Sequence, residues 1–379
     1  MTITVHSFAK INLGLRIGPR REDGFHDLRT AYQTVALHDV IGVSVERGAG
    51  IEIRCKDPRV PTDSANTCFR IVELAMQAMH ARGRVAIKIG KRLPVQGGLG
   101  GASGNAVAAL LALERALKKQ LSAADRLRIA AEVGSDLPLF LIGGTVLGVS
   151  RGEEVYPLPD LPGIPCVIAL PEIAVSTPKA FADWDSLISP CHPEPASAGE
   201  ESAVPDQMQI PIRLLPSGQS LRAGSRLQGS FASERSFSLG MTDGKRVQEL
   251  KNPTPSDRMS EFSREISAWL SLRSGVSAKG GGRAENPLLD LVRTGIENDF
   301  EKVVFPKYPE LREVKRVLER AGALYASLSG SGSAIYGLFS SREKASAAAK
   351  KIEKHGTRAV LTSTLTRRQY WKKLLAFSS

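Results

Sequence analysis

The chain has 379 residues, a formal net charge of +12 and 42% apolar residues. That length exceeds what one ordinary core takes and suits two domains, at the apolar content of a water-soluble globular chain. No run is long and apolar enough to span a bilayer, and Met1–Leu15 mixes polar with apolar residues and carries Lys10 and Asn12, so no signal peptide is expected.

The cysteines, Cys55, Cys68, Cys166 and Cys191, form no CxxC pair and have no His beside them at zinc spacing. They read as isolated thiols, for which a reducing cytoplasm is the natural setting. The basic residues are scattered apart from short clusters at Arg20–Arg21 and Arg367–Lys373. A polyanionic small substrate would explain the charge as well as nucleic acid would, and no aromatic-rich RNA-binding strand is present.

In chain order, residues 3–15 read as a strand and Asp23–His26 as a turn. Leu28–Ala36 and Asp39–Glu46 read as two strands, and Ile51–Cys55 continues the pattern. Asn66–Ala81 has the apolar stripe of a helix, and Val85–Ile89 is a strand. A glycine-rich loop at 94–104 leads into a helix starting near Asn105, and Ala123–Val133 is another helix. Beyond Leu147 the segments become Pro-punctuated, with a strand at Pro165–Leu170. From 189 to 256 the periodicity is lost, and the composition is that of a flexible insertion. Met259–Leu272 returns to helical spacing, and Lys279–Arg283 reads as a linker. A helix at Pro309–Ala321, a strand at Ala334–Phe339, a helix at Lys344–His355 and a strand at Arg358–Thr362 follow. No internal repeat is found. The class is α+β, with domains expected over 1–158 and 159–379.

The strongest chemical signal is the run Pro94-Val95-Gln96-Gly97-Gly98-Leu99-Gly100-Gly101-Ala102-Ser103-Gly104-Asn105 between strand and helix. Glycines let successive N–H groups turn toward one point, and a helix N-terminus adds its dipole, an arrangement that favours phosphate. No Gly-Lys-Ser/Thr closes it as a Walker A loop, and no ribose-binding acid follows as in a dinucleotide fold. Asp136, in GSDLPLF, is a lone carboxylate among apolar residues, either a helix cap or a reactive group. Lys10 sits in the apolar strand FAKINL and needs an anion, for which Asp136 is a candidate. Phe25 and His26 could stack on and hydrogen-bond a base, or simply anchor a turn. Ser329–Ser333 allows close backbone approach, to a ligand or to another strand.

Taken together and in order, AKINL, DGFH, PVQGGLGGASGN, GSDLPLF, NDFE at 298–301 and SLSGSGS resemble the GHMP kinases. AKINLGL and DGFHDL point within them to the branch that phosphorylates a CDP-linked methylerythritol. The resemblance covers roughly 3–181 and 258–375. It implies a ribosomal-S5-like N-terminal domain, a ferredoxin-like C-terminal domain, and ATP with Mg²⁺ meeting the substrate between them. It assigns Lys10 and Asp136 to catalysis. It assigns Pro94, Gly97, Gly98, Leu99, Gly100, Gly101, Ala102, Ser103 and Asn105 to the nucleotide, and Asn12, Phe25, His26, Phe181 and Ser331 to the substrate. Two departures stand out. Phe25 occupies a position where the family commonly has Tyr, and Gly104 replaces a Ser, which would remove a hydroxyl near phosphate or metal. The other readings are a homoserine- or mevalonate-type kinase, or a non-catalytic nucleic-acid-binding protein on the same fold.

Overall fold

The computed structural model describes residues 1–188 and 296–376. The insertion at 189–256, the helix expected at Met259–Leu272, the linker at Lys279–Arg283 and Cys191 lie outside the described residues.

The architecture is organised by one long hairpin. β1 (Thr2–Arg20) pairs antiparallel with β2 (His26–Glu46) around a turn closed by Arg21, whose N–H bonds the Phe25 carbonyl at 2.7 Å. Two strands were expected where β2 is one. The apparent break is a bulge: Phe8 pairs with His38 but Ala9 pairs with Val35, so Ala36 and Leu37 are extra residues on β2. Such a bulge bends the strand and re-aims the residues beside it.

Around the hairpin lie β3 (Ile51–Cys55), β4 (Arg84–Gly90), β5 (Thr145–Val149) and β6 (Glu154–Pro157). Together they form, among the described residues, a six-stranded sheet in the order β3-β4-β2-β5-β6 with β1 on β2. Helices α1 (Thr67–Ala78), α2 (Gly101–Leu117), α3 (Ala123–Val133) and α4 (Leu137–Ile142) belong to this part of the chain. They share a core with β2 and β4, built from Ile71, Val107, Leu110, Ile129 and Phe140 against Ile41, Val43 and Ile87. The α1 stripe expected from the sequence is real, with Asn66 as N-cap accepting from the Cys68 N–H at 2.9 Å.

A second sheet, in the order β10-β7-β9-β8, is antiparallel throughout: β7 (Pro165–Leu170), β8 (Tyr325–Leu328), β9 (Ile335–Leu338) and β10 (Arg358–Ser363). On β7 the side chains alternate. Cys166 and Ile168 join Ala9, Ile11 and Leu13 of β1, while Val167 and Ala169 join a helical layer. That layer contains α5 (Thr177–Ile188), α6 (Glu301–Lys307), α7 (Pro309–Arg320) and α8 (Arg342–Lys354). The hairpin thus lends residues to both cores.

The basic cluster Arg367–Lys373 belongs to a last helix, α9 (Arg367–Leu374), opened by a Thr366/Gln369 capping box. It buries Tyr370 and Leu374 in the first core, with the Tyr370 hydroxyl bonded to the Phe140 carbonyl at 2.7 Å. Arg368, Lys372 and Lys373 lie on its solvated side, while Arg367 turns inward and donates to the Thr145 and Leu158 carbonyls.

Candidate active site

The glycine-rich run begins from a buried anchor. Asp39, just past the β2 bulge, is fully buried and accepts four hydrogen bonds. Oδ1 takes the Arg92 and Leu93 N–H groups at 2.6 and 2.7 Å; Oδ2 takes Lys91 Nζ at 2.6 Å and Asn105 Nδ2 at 3.0 Å. A buried carboxylate is tolerable only with such compensation. Asn105 was expected to bind nucleotide. Its side chain is instead buried against Asp39 and does not line the cavity described below.

The helix starts four residues earlier than expected, at Gly101, because Gly100 adopts the left-handed conformation (φ 67°) that turns the loop into α2. The N-cap glycine offers no side-chain acceptor, so the first-turn N–H groups of α2 have no capping side chain. Gly98 (φ 71°) is packed so closely that a Cβ would overlap the Ser329 carbonyl oxygen. Three bonds tie the loop down: Lys10 N–H to the Leu99 carbonyl at 3.0 Å, Ala334 N–H to the Gly97 carbonyl at 3.2 Å, and Ser329 Oγ to the Gly98 carbonyl at 2.9 Å. Gly104 faces away from the loop mouth. A Cβ there would sit 2.9 Å from the Phe8 carbonyl and 3.0 Å from Ser7 Oγ, so in this fold the position serves helix-to-strand packing. The hydroxyl thought missing from a phosphate site therefore has no room on that side.

Gly98, Gly100 and Ser103 line a cavity of about 710 Å³, together with Lys10, Asn12 and Asp136. Leu99 is turned into the second core, and Pro94, Gly97, Gly101 and Ala102 support the loop from outside the cavity lining. Lys10 is buried on β1, its stem running past Gly100 and Phe140. Nζ lies 3.4 Å from Asp136 Oδ2 and donates to Asn12 Oδ1 at 2.7 Å. Asn12 Nδ2 in turn donates to Thr30 Oγ1 at 2.7 Å. Lys10 and Asn12 fall two apart on β1, and Asn12 pairs across the ladder with Tyr32, so one face of the hairpin presents all three. Asp136 stands at the N-terminus of α4, but its carboxylate makes no capping bond; it is turned toward the cavity, with its side chain 34% exposed. The Tyr32 hydroxyl donates to its other oxygen at 3.0 Å. Burial, and then the Asp136 charge, push the Tyr32 pKa well above 10, so the phenol stays a donor.

The far end of the cavity is aromatic. His26 is buried, bonds Asp185 through Nε2 at 2.6 Å, and stacks on Phe181 with ring centroids 5.0 Å apart and planes within 8°. Those two rings leave no slot for a third between them. Phe25 stands separately, 52% exposed, with the Arg151 guanidinium 5.1 Å from its ring. Ser331 shares a 2.7 Å hydrogen bond with Thr177 at the cavity wall. The loop bearing Ser331 is held by Asn298, whose Nδ2 donates to the Leu328 and Gly330 carbonyls at 2.9 and 2.8 Å.

Asp185 and Tyr32 escaped the sequence reading. Phe181 and Asp185 are four apart and so share a helix face, but the helix itself was missed; Thr177-Pro178 at its start was the available signal. Nothing in the sequence singles out Tyr32 from other strand tyrosines.

Residues 66–144 match the model for the GHMP kinases N terminal domain, and 285–358 match that for GHMP kinases C terminal. The chain is 32% identical over 373 residues to 4-diphosphocytidyl-2-C-methyl-D-erythritol kinase of Solibacter usitatus, covering 98% of this chain and 92% of that one. It belongs to that family of GHMP kinases. Another relative in the family, from Acaryochloris marina, is 29% identical over 92% of this chain and 91% of its own. Among solved structures, a 4-(cytidine 5'-diphospho)-2C-methyl-D-erythritol kinase superposes with a TM-score of 0.61 at 24% identity, covering 96% of this chain and 99% of that one. Homoserine kinase from Cytophaga hutchinsonii gives a TM-score of 0.60 at 17% identity, covering 96% and 95%. The shared GHMP fold accounts for the mixed α/β layout and for a glycine loop bonded to β1. The chain is accordingly a phosphotransferase that uses ATP.

Proposed function

We propose that the chain transfers the γ-phosphoryl group of ATP to the 2-hydroxyl of 4-diphosphocytidyl-2-C-methyl-D-erythritol, the compound for which its relatives are named. The observation that carries the assignment of roles is the Lys10–Asp136 pair, 3.4 Å apart beside the glycine loop in the 710 Å³ cavity. A lysine with so little access to water is retained at a cost that a packed apolar residue would avoid, which points to chemistry over stability.

In this reading Asp136 accepts the proton of the substrate hydroxyl. Lys10, held by Asn12, neutralises the carboxylate and the developing charge on the acceptor oxygen. Phosphoryl transfer depends on such positioning and charge balance. The N–H groups of Gly98–Ser103 and the first turn of α2 cradle the nucleotide phosphates. The fit rests on the loop's path at Gly98 and Gly100, both at positive φ and so close to Ser329, Lys10 and Phe140 that a side chain at either would displace the loop. Mg²⁺ neutralises phosphate charge when bound; among the described residues no cluster of three carboxylate, His or Cys side chains offers it a cage, so it is assigned to the nucleotide. Phe25 and the stacked His26–Phe181 pair receive the cytosine, and Ser331 closes the wall near the reacting end. The cytoplasm suits the unpaired thiols of Cys55, Cys68 and Cys166.

The test is ADP release measured with the cytidylated polyol and, in parallel, with the polyol phosphate lacking cytidine. Turnover restricted to the cytidylated compound is expected, with Asp136→Asn lowering kcat sharply while ATP binding persists. Equal turnover of both compounds would remove the aromatic end from recognition. No turnover of either would overturn the substrate assignment.

A further inference from the structure

Asp136 receives two donors of different kinds. Lys10 approaches Oδ2, and the Tyr32 hydroxyl occupies Oδ1 at 3.0 Å. The carboxylate has no capping bond to its own helix, so these two groups determine its orientation. Lys10 ends a flexible chain. Tyr32 does not: it is 2% exposed, in register with Asn12 on one side and Val146 on the other. Its ring is enclosed by glycines, for a Cβ on Gly148 would lie 2.5 Å from Tyr32 Cε2, and one on Gly152 2.7 Å from the hydroxyl. The phenol is therefore a fixed donor on the central strand of the sheet, aimed at one carboxylate oxygen.

We infer that Tyr32 is a positioning residue for phosphoryl transfer: by occupying Oδ1 it fixes the carboxylate plane and leaves Oδ2 as the oxygen that takes the proton. The inference rests on Asp136 being the base. The substrate O–H bond breaks with its proton passing to Oδ2, the freed oxygen forms the bond to the γ-phosphorus, and the β–γ bridging oxygen leaves with ADP. Without the phenol, the carboxylate can rotate about its Cβ–Cγ bond, and both oxygens compete for Lys10. The productive geometry then becomes one of several, which lowers kcat and leaves nucleotide binding, made by the loop and α2, unchanged.

The test is Tyr32→Phe, which keeps the ring and removes one oxygen. Molecules able to bind are counted by titration with a non-hydrolysable ATP analogue, and kcat is expressed per binding site. A fall in kcat of roughly ten- to a hundredfold is expected, the scale of one hydrogen bond to a charged group, with KM for ATP within about twofold of the wild type. A kcat per site equal to wild type overturns the inference. So does a loss of turnover matched by a loss of binding sites, since that marks a merely structural tyrosine. Asp136→Asn is run in parallel. If it retains full turnover, the base reading itself has failed; if it is inactive while Tyr32→Phe is normal, only the role of Tyr32 has failed.

Discussion

Replacing Asp39 by Asn changes one atom of a fully buried side chain and tests how the glycine loop is held. The carboxylate serves four donors: two backbone N–H groups on Oδ1, and the Lys91 ammonium and the Asn105 amide on Oδ2. An asparagine keeps one acceptor oxygen. Whichever way it turns, its NH₂ faces either the Arg92 and Leu93 N–H groups or the ammonium. Two hydrogen bonds to a charged group are lost, at about 1.5–3 kcal/mol each. Lys91, with its side chain only 10% exposed, loses the carboxylate it is paired with. Breaking a buried pair in this way costs about 3–5 kcal/mol, and the two figures describe overlapping effects, so about 3–5 kcal/mol in total is expected. That is a large share of a total stability on the order of 5–15 kcal/mol, and it lowers Tm by roughly 5–10 °C. Urea unfolding of Asp39→Asn gives the measurement. Adding Lys91→Met should recover part of the loss by removing the stranded charge. A loss under about 1 kcal/mol, or a double variant worse than the single one, would refute the reasoning.

Two further outcomes follow from named contacts. Gly98→Ala places a Cβ on the Ser329 carbonyl oxygen at φ 71°, whereas Gly322→Ala meets nothing within 4 Å at φ 87°. Thermal melts and ATP titrations should show the first losing both stability and nucleotide affinity, with the second losing only the ~1–3 kcal/mol of a strained backbone. His6 has its pKa lowered from 6.5 by burial and then by His38, so below pH 6.5 the unfolded chain binds the extra proton and stability falls with falling pH. Melting at pH 7.5 and 5.5 should show a smaller drop in His6→Gln than in the wild type; equal drops would assign the acid sensitivity elsewhere.

Much of the site was legible because its residues violate local rules. A lysine amid apolar β1 residues, a lone carboxylate before Leu137, and glycines where a helix should begin are each unfavourable for folding and therefore informative. The structure brings Lys10, Asn12, Asp136, Gly98, Ser103, Phe25, His26, Phe181 and Ser331 to one cavity. Less legible were features that depend on distant partners. The β2 bulge looks like a strand break until β1 is paired with it. Asn105 looks like a ligand because it follows the glycine run, yet its partner Asp39 lies 66 positions away. The capping box of α9 is hidden in a run of charge, and the segment docks on the first core through the Tyr370 ring against Phe8 and its hydroxyl on the Phe140 carbonyl, partners far away in sequence.

The bonds of the site also differ greatly in how much chain they close. Asn12 reaches Thr30 across 18 positions within a hairpin, Tyr32 reaches Asp136 across 104, and Ser329 reaches Gly98 across 231. Loop-closure entropy and contact order both rise along that series. The hairpin face can form early in synthesis, whereas the bond that pins the left-handed Gly98 waits for a serine near the end of the chain. A chain ending after Val149 would carry the Lys10–Asp136 pair and the entire glycine run with its Lys10–Leu99 bond, yet lack the contacts that Ser329 and Ala334 make to Gly98 and Gly97. Completion of the C-terminal half is thus what supplies the last two contacts on the glycine run.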